Sequence, residues 1–571
     1  MPIRPIARKP GYGQFFSKRN NRLLQSVLTV ENSLILLFFI LGLVGILNHE
    51  IWRDEAQAWL IARDSSSLQD LFSNTAYEGH PLVWHACLFL ITRWSNNPFY
   101  MQIFHLLFST ASVVLLIKWA PFSLLQKGLL SFSYLLFYEY SIISRNYAIG
   151  IFFIFLFCVL YTQTKPRYWL LALLIAMAAN ANAFCFMISF SLASVMIFRQ
   201  WRESPTSLAE TFRRQMIQPL AILIVGWGLS LLQLTRLTRL PEREVVVDSA
   251  QRSAAGASPV QVPVSDLVLS QFDQVIAFVN RLAGVSEPFT RSYLPMLRPK
   301  LNFWTTHFLL DSEGIGTVFG LQIGMIISAI FAIVVFFFAS RALRRTPLYL
   351  WLYVSASAAL YSLFIVIYRG SSRHQGHLFI VLIVSLWLAT WSKNRQNQPI
   401  GFHTRPKRRS LKRHSLKRPI VGGVLLSVLL IFQCIASVQA YAMDIVYPFS
   451  GSRAIAQYIR TNQLEELPLF AQNGRISTGV ISYLDTMAYY AQRNRYASFA
   501  TAPYRRKEET NDIILANVES FAQQEPEFLV LSRNPIDFSG AERQVNLLAK
   551  VEETIIGNEQ LYLYRAEAPS P

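Results

Sequence analysis

Charged residues are scarce in this sequence. They make up 15% of its 571 residues, against 52% hydrophobic residues and a mean hydropathy of +0.31. A soluble globular protein carries about a quarter charged residues, so this class is excluded. The 13% of aromatic residues excludes a disordered chain, which has too little apolar surface to bury. The composition is that of a polytopic membrane protein.

Cysteine is also rare, and the cysteines that are present form no framework. All four lie in apolar stretches without CxxC spacing: Cys87, Cys158, Cys185 and Cys434. Neither a zinc knuckle nor a set of disulfide bonds is therefore expected. The sequence also lacks the GxxxxGK[ST], GxSxG and HExxH motifs, which argues against ATP hydrolysis, serine hydrolase chemistry and zinc peptidase chemistry.

Apolar segments long enough to cross a bilayer recur along the chain. A spanning helix needs about 17 to 20 such residues. Eleven candidate spans lie near residues 32–48, 99–117, 127–144, 147–163, 168–182, 183–198, 217–235, 317–340, 347–368, 376–392 and 420–442. The apolar patch from Pro81 to Trp94 is shorter and carries His85 and Arg93, so it is either a further span or a segment beside the membrane.

The basic loops decide between these alternatives, because cytoplasmic loops are enriched in Lys and Arg. If the patch does not cross, the basic N-terminus shares one side with the other basic stretches, at residues 165–167, 199–214, 341–345 and 405–418. We therefore predict eleven transmembrane helices, with the N-terminus cytoplasmic and the C-terminus outside. Topology then explains the net charge of +19, and no nucleic-acid partner is expected.

This topology divides the chain into three parts. A basic cytoplasmic N-terminus (1–31) precedes a transmembrane domain (32–442) and an extracytoplasmic tail (443–571). The loops of the transmembrane domain that matter below are two outer loops and one basic cytoplasmic loop, at 48–98, 236–316 and 393–419. The tail contains a helix candidate, short apolar strands and a closing hairpin with a Gly-Asn-Glu turn, which predicts a small α/β domain. An amphipathic helix is also predicted near 266–282.

An adjacent pair of acids, Asp54 and Glu55, follows the first span within a few residues. Charges are costly near hydrocarbon, so acids at this depth usually face water, a partner or a substrate. Two structural alternatives stay open. The pair can be an ordinary loop pair beside Arg53, or Asp54 can cap the helix that Ala56 begins.

A second group of polar residues lies about twenty residues further on, in Tyr-Glu-Gly-His-Pro-Leu-Val-Trp-His. It brings Glu78, His80 and His85 to a glycine–proline break. Non-helical backbone at membrane depth is tolerated where it is buried in protein or lines a cavity, so the break indicates a cavity. These residues and Asp54 could hold a divalent cation, although their spacing matches no rigid ligand motif.

Basic side chains collect on the same outer face. Four of them lie within nine residues before the tenth span: Arg369, Arg373, His374 and His377. Outer loops are otherwise poor in positive charge, so this cluster indicates an anion site. Arginine grips phosphate oxygens as a bidentate fork, which favours phosphate. Arg145 and Asn146, at the outer end of the third span, face the same side, as does Glu139.

The combination resembles a known family. A first span that ends in an Asp-Glu motif, a Gly-His-Pro-Leu break in the outer loop and an extracytoplasmic α/β tail resemble the GT-C glycosyltransferases. Within them, the chain is similar to the bacterial relatives of protein O-mannosyltransferases and aminoarabinose transferases, grouped as family 39 or RgtA/B/C/D-like. The resemblance is clearest over residues 30–200 and only architectural in the tail.

The resemblance implies a GT-C-like fold and an inverting transfer of a hexosyl or pentosyl group. The donor would be a polyprenyl-phosphate-linked sugar in the bilayer, and the acceptor a hydroxyl of a glycan, lipid or protein outside the bacterial inner membrane. It maps Asp54, with Glu55 beside it, onto the family's acidic motif, and Arg145 onto the arginine that contacts the donor phosphate. The chain departs from the family after that arginine, where Asn146-Tyr147-Ala148 replaces a stretch like Leu-Asp-Pro.

These observations define the candidate site. Asp54 and Glu55 are the expected catalytic residues. The expected substrate-binding residues are Arg53, Glu78, His80, His85, Arg145, Asn146, Arg369, Arg373, His374 and His377. No cofactor is required, with a divalent cation as the alternative. A transporter or flippase of a polyprenyl-linked or sugar lipid is the second hypothesis, although it would place charges in mid-membrane and in repeated broken helices. A non-catalytic anchor for the tail is the third.

Reporter fusions test the topology. A reporter fused at residue 410 should give a cytoplasmic signal, because the segment 405–418 is the most basic loop. A reporter fused at residue 565 should give a signal from outside. Cytoplasmic signals from both fusions would contradict the topology and the placement of the site on the outer face.

Overall fold

The computed structural model describes residues 29–567 except 77, 204–214, 236–274, 277, 281–283, 312–316, 319–320, 397–420, 472–474, 492–493, 501–509 and 542. Three sequence predictions lie wholly or mostly outside the described residues: the basic N-terminus (1–31), the basic loop (393–419) and the amphipathic helix near 266–282.

The apolar runs form helices, because a backbone in hydrocarbon must satisfy its hydrogen bonds internally. The first half contains α1 (Val30–Asn48), α2 (Arg53–Asp64), α3 (Leu68–Asn74), α4 (Val83–Thr92), α5 (Phe99–Trp119), α6 (Leu124–Ser131), a π-helix (Tyr134–Ile142), α7 (Tyr147–Tyr161), α8 (Tyr168–Ala179), α9 (Ala183–Glu203) and α10 (Ile217–Leu234). The second half continues with α11 (Glu287–Tyr293), a 3-10 turn (Phe303–Thr305), the two-stranded ribbon β1 (Thr317–Val318) and β2 (Leu321–Gln322), α12 (Ile323–Leu343), α13 (Pro347–Val366), α14 (Ser372–Gln375), α15 (His377–Gln396) and α16 (Val421–Val446).

Among the described residues, eight helical segments are long and apolar enough to cross a membrane. They are α1, α5, α9, α10, α12, α13, α15 with the short α14 before it, and α16. The other three predicted spans correspond to shorter helices, namely α6 with the π-helix, α7 and α8. The predicted class, a polytopic helical membrane protein, is confirmed, while the number of eleven spans stays a prediction.

Two segments near the site differ from a single long spanning helix. The span predicted over 127–144 is divided into two helical segments, because α6 ends at Ser131 and the π-helix begins at Tyr134. Ser133 has an extended backbone (φ −66°, ψ 152°), and its side chain accepts a hydrogen bond from the N–H of Leu136. Helix α4 has ten residues and is about 15 Å long, half of the hydrocarbon thickness, which agrees with a segment that does not cross.

The tail is a small α/β domain, as predicted. It contains α17 (Ser452–Thr461), β3 (Leu469–Ala471), α18 (Ser477–Leu484), β4 (Ala488–Tyr490), β5 (Arg495–Ala497), α19 (Asn511–Ala522), β6 (Phe528–Ser532), β7 (Val545–Val551) and β8 (Leu561–Ala566). The sheet order is β5-β4-β3-β6-β8-β7, with β3 parallel to β4 and β6 and the other pairs antiparallel. The closing hairpin is present, but β7 ends at Val551, so residues 552–560 form a longer connection than the predicted turn.

The two faces of the sheet have different partners, because successive strand residues point to opposite sides. Leu529 and Leu531 of β6 pack in a cluster with α17 and α18, whereas Phe528 and Val530 pack against α19. The first of these clusters also contains Trp59 of α2. Helix α2, which carries the acid pair, is therefore buried between the tail domain and the transmembrane helices.

Candidate active site

The start of α2 sends its two acids in different directions. Trp52 is the last extended residue and Arg53 the first helical one. Glu55 is fully buried, whereas the side chain of Asp54 is 31% exposed. A carboxylate oxygen of Glu55 accepts the N–H of Trp52 at 3.3 Å. The helix does not begin at Ala56 and Asp54 does not cap it, so the capping alternative is wrong.

Glu55 belongs to a buried network of hydrogen bonds. Its Oε2 is 3.1 Å from Nε2 of His49, and Nδ1 of His49 is 2.8 Å from Oδ2 of Asp444. The hydroxyl of Tyr138 donates to the same Asp444 oxygen at 3.1 Å, and the N–H of Ser144 donates to Glu55. This network joins the end of α1 to α2, the π-helix and α16.

The imidazole of His49 is charged at neutral pH. Burial alone would lower the pKa of His49, but the carboxylates of Asp444 and Glu55 outweigh it and raise the pKa from 6.5 to about 10. A cation thus lies between two buried acids. Both acids are engaged with His49, so Glu55 does not share the partners of Asp54.

Asp54 is paired with Arg373. Oδ2 of Asp54 lies 3.2 Å from Nη2 of Arg373. The Arg373 guanidinium lies against two indole rings, 4.9 Å from the centroid of Trp52 and 4.7 Å from that of Trp304. The Tyr140 hydroxyl donates to the main-chain carbonyl of Arg373 at 2.6 Å. The two cation–π contacts and this hydrogen bond hold the cation beside the carboxylate.

Arg145 approaches Asp54 from another side. Its Nη1 donates to the main-chain carbonyl of Asp54 at 2.5 Å, while its buried Nε has no hydrogen-bond partner among the described residues. Burial raises the pKa of Asp54, but the charges of Arg145, Arg373 and Arg53 outweigh it and hold that pKa below its usual value. Asp54 is therefore an ionised carboxylate next to a guanidinium with an open donor.

Glu78 and His80 of the glycine–proline break lie close to Arg145 and Asp54. Gly79 has a φ of +71°, a conformation that glycine adopts without strain. Glu78 accepts a hydrogen bond from Gln57 at 3.1 Å, and burial raises the pKa of Glu78. Burial and the charge of Arg145 lower the pKa of His80 to about 3, so His80 is neutral.

The break carries possible metal ligands in Glu78, His80 and His85. Nε2 of His85 and Oε2 of Glu78 are 3.9 Å apart, and the described part of the chain contains no group of three His, Cys, Asp or Glu side chains that could hold a metal ion. Nδ1 of His80 and both ring nitrogens of His85 are buried and lack a protein partner among the described residues. The divalent-cation alternative stays a prediction.

The structure separates the members of the predicted basic cluster. Arg369 is 71% exposed and pairs with Glu287, so it takes no part in the contact with Asp54 that Arg373 makes. His374 is buried and accepts the N–H of Ser371 at 2.8 Å. His377 is buried, and its Nδ1 lies 2.9 Å from the carbonyl of His374.

The remaining predicted residue, Asn146, is buried directly after Arg145. Its carbonyl accepts a hydrogen bond from Asn182 at 3.3 Å, and its side-chain Oδ1 has no partner within the described residues. The aromatic walls of this region are Tyr147 and Phe184, whose rings contact His80, His374 and His377.

Several residues of the site were missed by the sequence analysis. Trp304 lies in an aromatic patch of the second outer loop, and Trp52 directly precedes Arg53. Gln57 binds both main-chain groups of Ala500 in the tail, at 2.6 and 3.0 Å, besides Glu78. Glu559 of the tail pairs with Arg53 at 3.4 Å. Only the tryptophans carried a signal, because large aromatic residues next to charges are common in binding sites.

Comparisons with known proteins give a likeness to solved structures but no match to a family model or a curated protein. The chain is similar to the crystal structure of ArnT from Cupriavidus metallidurans bound to undecaprenyl phosphate, with 12% identity and a TM-score of 0.39. The match covers 93% of this chain and 97% of that one. At this identity and TM-score, the likeness carries no argument about function.

The charge on His49 predicts a pH-dependent stability. Because the pKa is raised from 6.5 to about 10, the stabilisation is complete below pH 6.5 and is lost as the pH rises towards 10. We expect the melting temperature in detergent to fall over this range. His49→Gln should destabilise the protein by about 3–5 kcal/mol at pH 6.5 and flatten the fall.

His307 provides the matched control. It is also buried, but burial and Arg291 lower its pKa to about 4, so it is neutral throughout this range. His307→Gln should leave the pH slope unchanged. A His49→Gln protein with the slope of the unaltered protein would contradict a charged His49.

Proposed function

We propose that this chain is a membrane glycosyltransferase. It would move a sugar from a polyprenyl-phosphate-linked donor to an acceptor hydroxyl on the outer face of the bacterial inner membrane, with inversion at the anomeric carbon. One observation carries the proposal: Arg373 contacts the ionised Asp54 carboxylate, Arg145 contacts the Asp54 main-chain carbonyl, and the Nε of Arg145 is buried without a partner in the described residues.

The chemistry requires a base and an anion site close together. The acceptor hydroxyl would give its proton to the Asp54 carboxylate while its oxygen forms a bond to the anomeric carbon. The bond from that carbon to the phosphate oxygen would break, and the phosphate would leave with the electron pair. Arg373 and Arg145 would stabilise the negative charge that develops on the leaving phosphate.

The location of these groups fits a donor that arrives within the bilayer. Asp54 follows the end of α1, Arg145 precedes α7, and Arg373 lies just before α15. Each of these helices joins the site at one end, so the charges gather at one level and not along the hydrocarbon. A lipid phosphate at a bilayer surface would meet them there, whereas a transport pathway would need polar groups deeper in the helices.

The sugar of the donor would have suitable neighbours close to these charged groups. Neutral His80 offers a ring nitrogen without a protein partner in the described part, and Asn146 offers its amide oxygen. Tyr147 and Phe184 supply aromatic surface beside the histidines. Neutral donors and acceptors with aromatic walls suit hydroxyl groups of a sugar ring.

Removal of the proposed base should slow transfer without loss of the fold. Asp54→Asn preserves size, but an amide cannot accept the proton, so we expect transfer to fall by roughly 10²- to 10⁴-fold. The measurement is polyprenyl phosphate released from a panel of synthetic polyprenyl-phosphate-linked hexoses and pentoses in proteoliposomes. Asp512→Asn, at an exposed acid in the first turn of α19, is the control. Near-normal transfer by Asp54→Asn would eliminate this base.

Removal of the open guanidinium should weaken binding of the lipid phosphate. A hydrogen bond to a charged group contributes about 1.5–3 kcal/mol, so Arg145→Ala should reduce affinity for undecaprenyl phosphate by about 10- to 100-fold. Arg373→Ala is the parallel variant. Arg460→Ala, at an exposed arginine of α17, should bind as the unaltered protein does. Unchanged affinity in both site variants would argue against a phosphate site here.

A further inference from the structure

Arg53 stands between two carboxylates that come from different domains. Its Nε is 3.9 Å from Oδ1 of Asp54, and its Nη1 is 3.4 Å from Oε1 of Glu559. Glu559 lies in the connection between β7 and β8, so it belongs to the tail domain. The tail therefore reaches the first residue of α2, next to the proposed base.

The position of Glu559 is fixed by more than its partner. The residue is only 6% exposed, and Oγ of Ser450 donates to its second carboxylate oxygen at 3.0 Å. Its main-chain carbonyl accepts the N–H of Gly451 at 3.0 Å. Both contacts come from the segment that follows α16, which leaves one carboxylate oxygen directed at Arg53.

We infer that Glu559 is a positioning residue that turns Arg53 away from Asp54 and so preserves the ability of Asp54 to accept a proton. The inference rests on the proposed function and deepens it. Arg373 and Arg145 already lower the proton affinity of Asp54. A third arginine in full contact would lower it further, because each nearby positive charge favours the ionised form.

The neighbouring charges determine how this contact responds to pH. Besides Arg53, the groups that act on Asp54 are Arg145, Arg373, Arg475 of the tail and Glu78. Glu559 itself is influenced by Arg53, Asp54 and Ser450, and the N–H of Ser450 also binds Glu50. Burial raises the pKa of Glu559 to about 7 although Arg53 opposes the shift. The charge of Glu559 therefore changes across the neutral range.

Glu559→Gln tests the inference with two measurements in opposite directions. Without the negative charge of Glu559, the charge of Arg53 adds to those of Arg145 and Arg373 at the site. Undecaprenyl phosphate should therefore bind roughly three- to tenfold more tightly at pH 8. Sugar transfer at pH 8 should be slower by a similar factor, because Asp54 is a weaker base. At pH 6, where Glu559 is mostly protonated, the variant and the unaltered protein should differ little in either measurement.

Asp485→Asn is the matched control. Asp485 pairs with Arg63 at 2.7 Å and ties the tail to the opposite end of α2, far along the helix from Asp54. Asp485 has a φ of +57°, which Asn also adopts readily. If Glu559 only docks the tail domain, both variants should weaken lipid binding alike. The inference is overturned by weaker or unchanged binding in Glu559→Gln, or by tighter binding in Asp485→Asn.

The two measurements also separate this inference from the proposed function. Lipid binding can be measured in nanodiscs without any sugar. Tighter binding by Glu559→Gln at pH 8 but no transfer by the unaltered protein would support the contact and reject the glycosyltransferase. Transfer that depends on Asp54 but is equal in Glu559→Gln and the unaltered protein from pH 6 to 8 would support the enzyme and reject the role of Glu559.

Discussion

The site depends on one buried interaction, the His49 imidazolium between Glu55 and Asp444. Three ionisable groups in a protein interior are costly to desolvate. Their mutual contacts offset this cost, together with hydrogen bonds from the Tyr138 hydroxyl and from the N–H groups of Trp52 and Ser144. The contact fixes the end of α1, the first turn of α2 and the end of α16 relative to one another. It also uses both oxygens of Glu55, since Ser144 donates to the other one. The direction of Asp54 follows from this, because neighbouring residues of a helix point about 100° apart.

A second constraint acts on the cations. Asp54 is not the only group that holds Arg373, because Trp52 and Trp304 contact its guanidinium while Tyr140 binds its main-chain carbonyl. Trp304 is itself fixed by a hydrogen bond to Glu139 at 3.0 Å. A charge that is held in place before the reaction needs no reorganisation when a phosphate leaves, and this is the main advantage of a protein site over water. The confinement uses residues from three separate parts of the sequence.

The extent to which the sequence predicted this arrangement follows from the range of each interaction. Helices were predictable because the length of an apolar run is a local property. The break at Ser133 was not predictable, since a single polar side chain that caps a new helix leaves the run apolar. The different directions of Asp54 and Glu55 are a consequence of helical periodicity. By contrast, His49 and Asp444 are 395 positions apart, and nothing in either neighbourhood indicates the pairing. Arg369 and Arg373 looked equivalent, yet one binds Glu287 at the surface and the other Asp54.

A transferase of the proposed kind faces opposed electrostatic requirements. The leaving phosphate needs positive charge, but every arginine near Asp54 makes that carboxylate a poorer base. Separate partners reconcile the two needs here. Arg145 gives Asp54 only a main-chain contact and leaves Nε open, and Arg53 is shared with Glu559. Arg373 makes the closer contact with the carboxylate, at 3.2 Å against 3.9 Å for Arg53, so a phosphate that attracts Arg373 would leave Asp54 a stronger base when a base is needed. Binding of the donor would then activate the base, with no movement larger than a change of partner for one guanidinium.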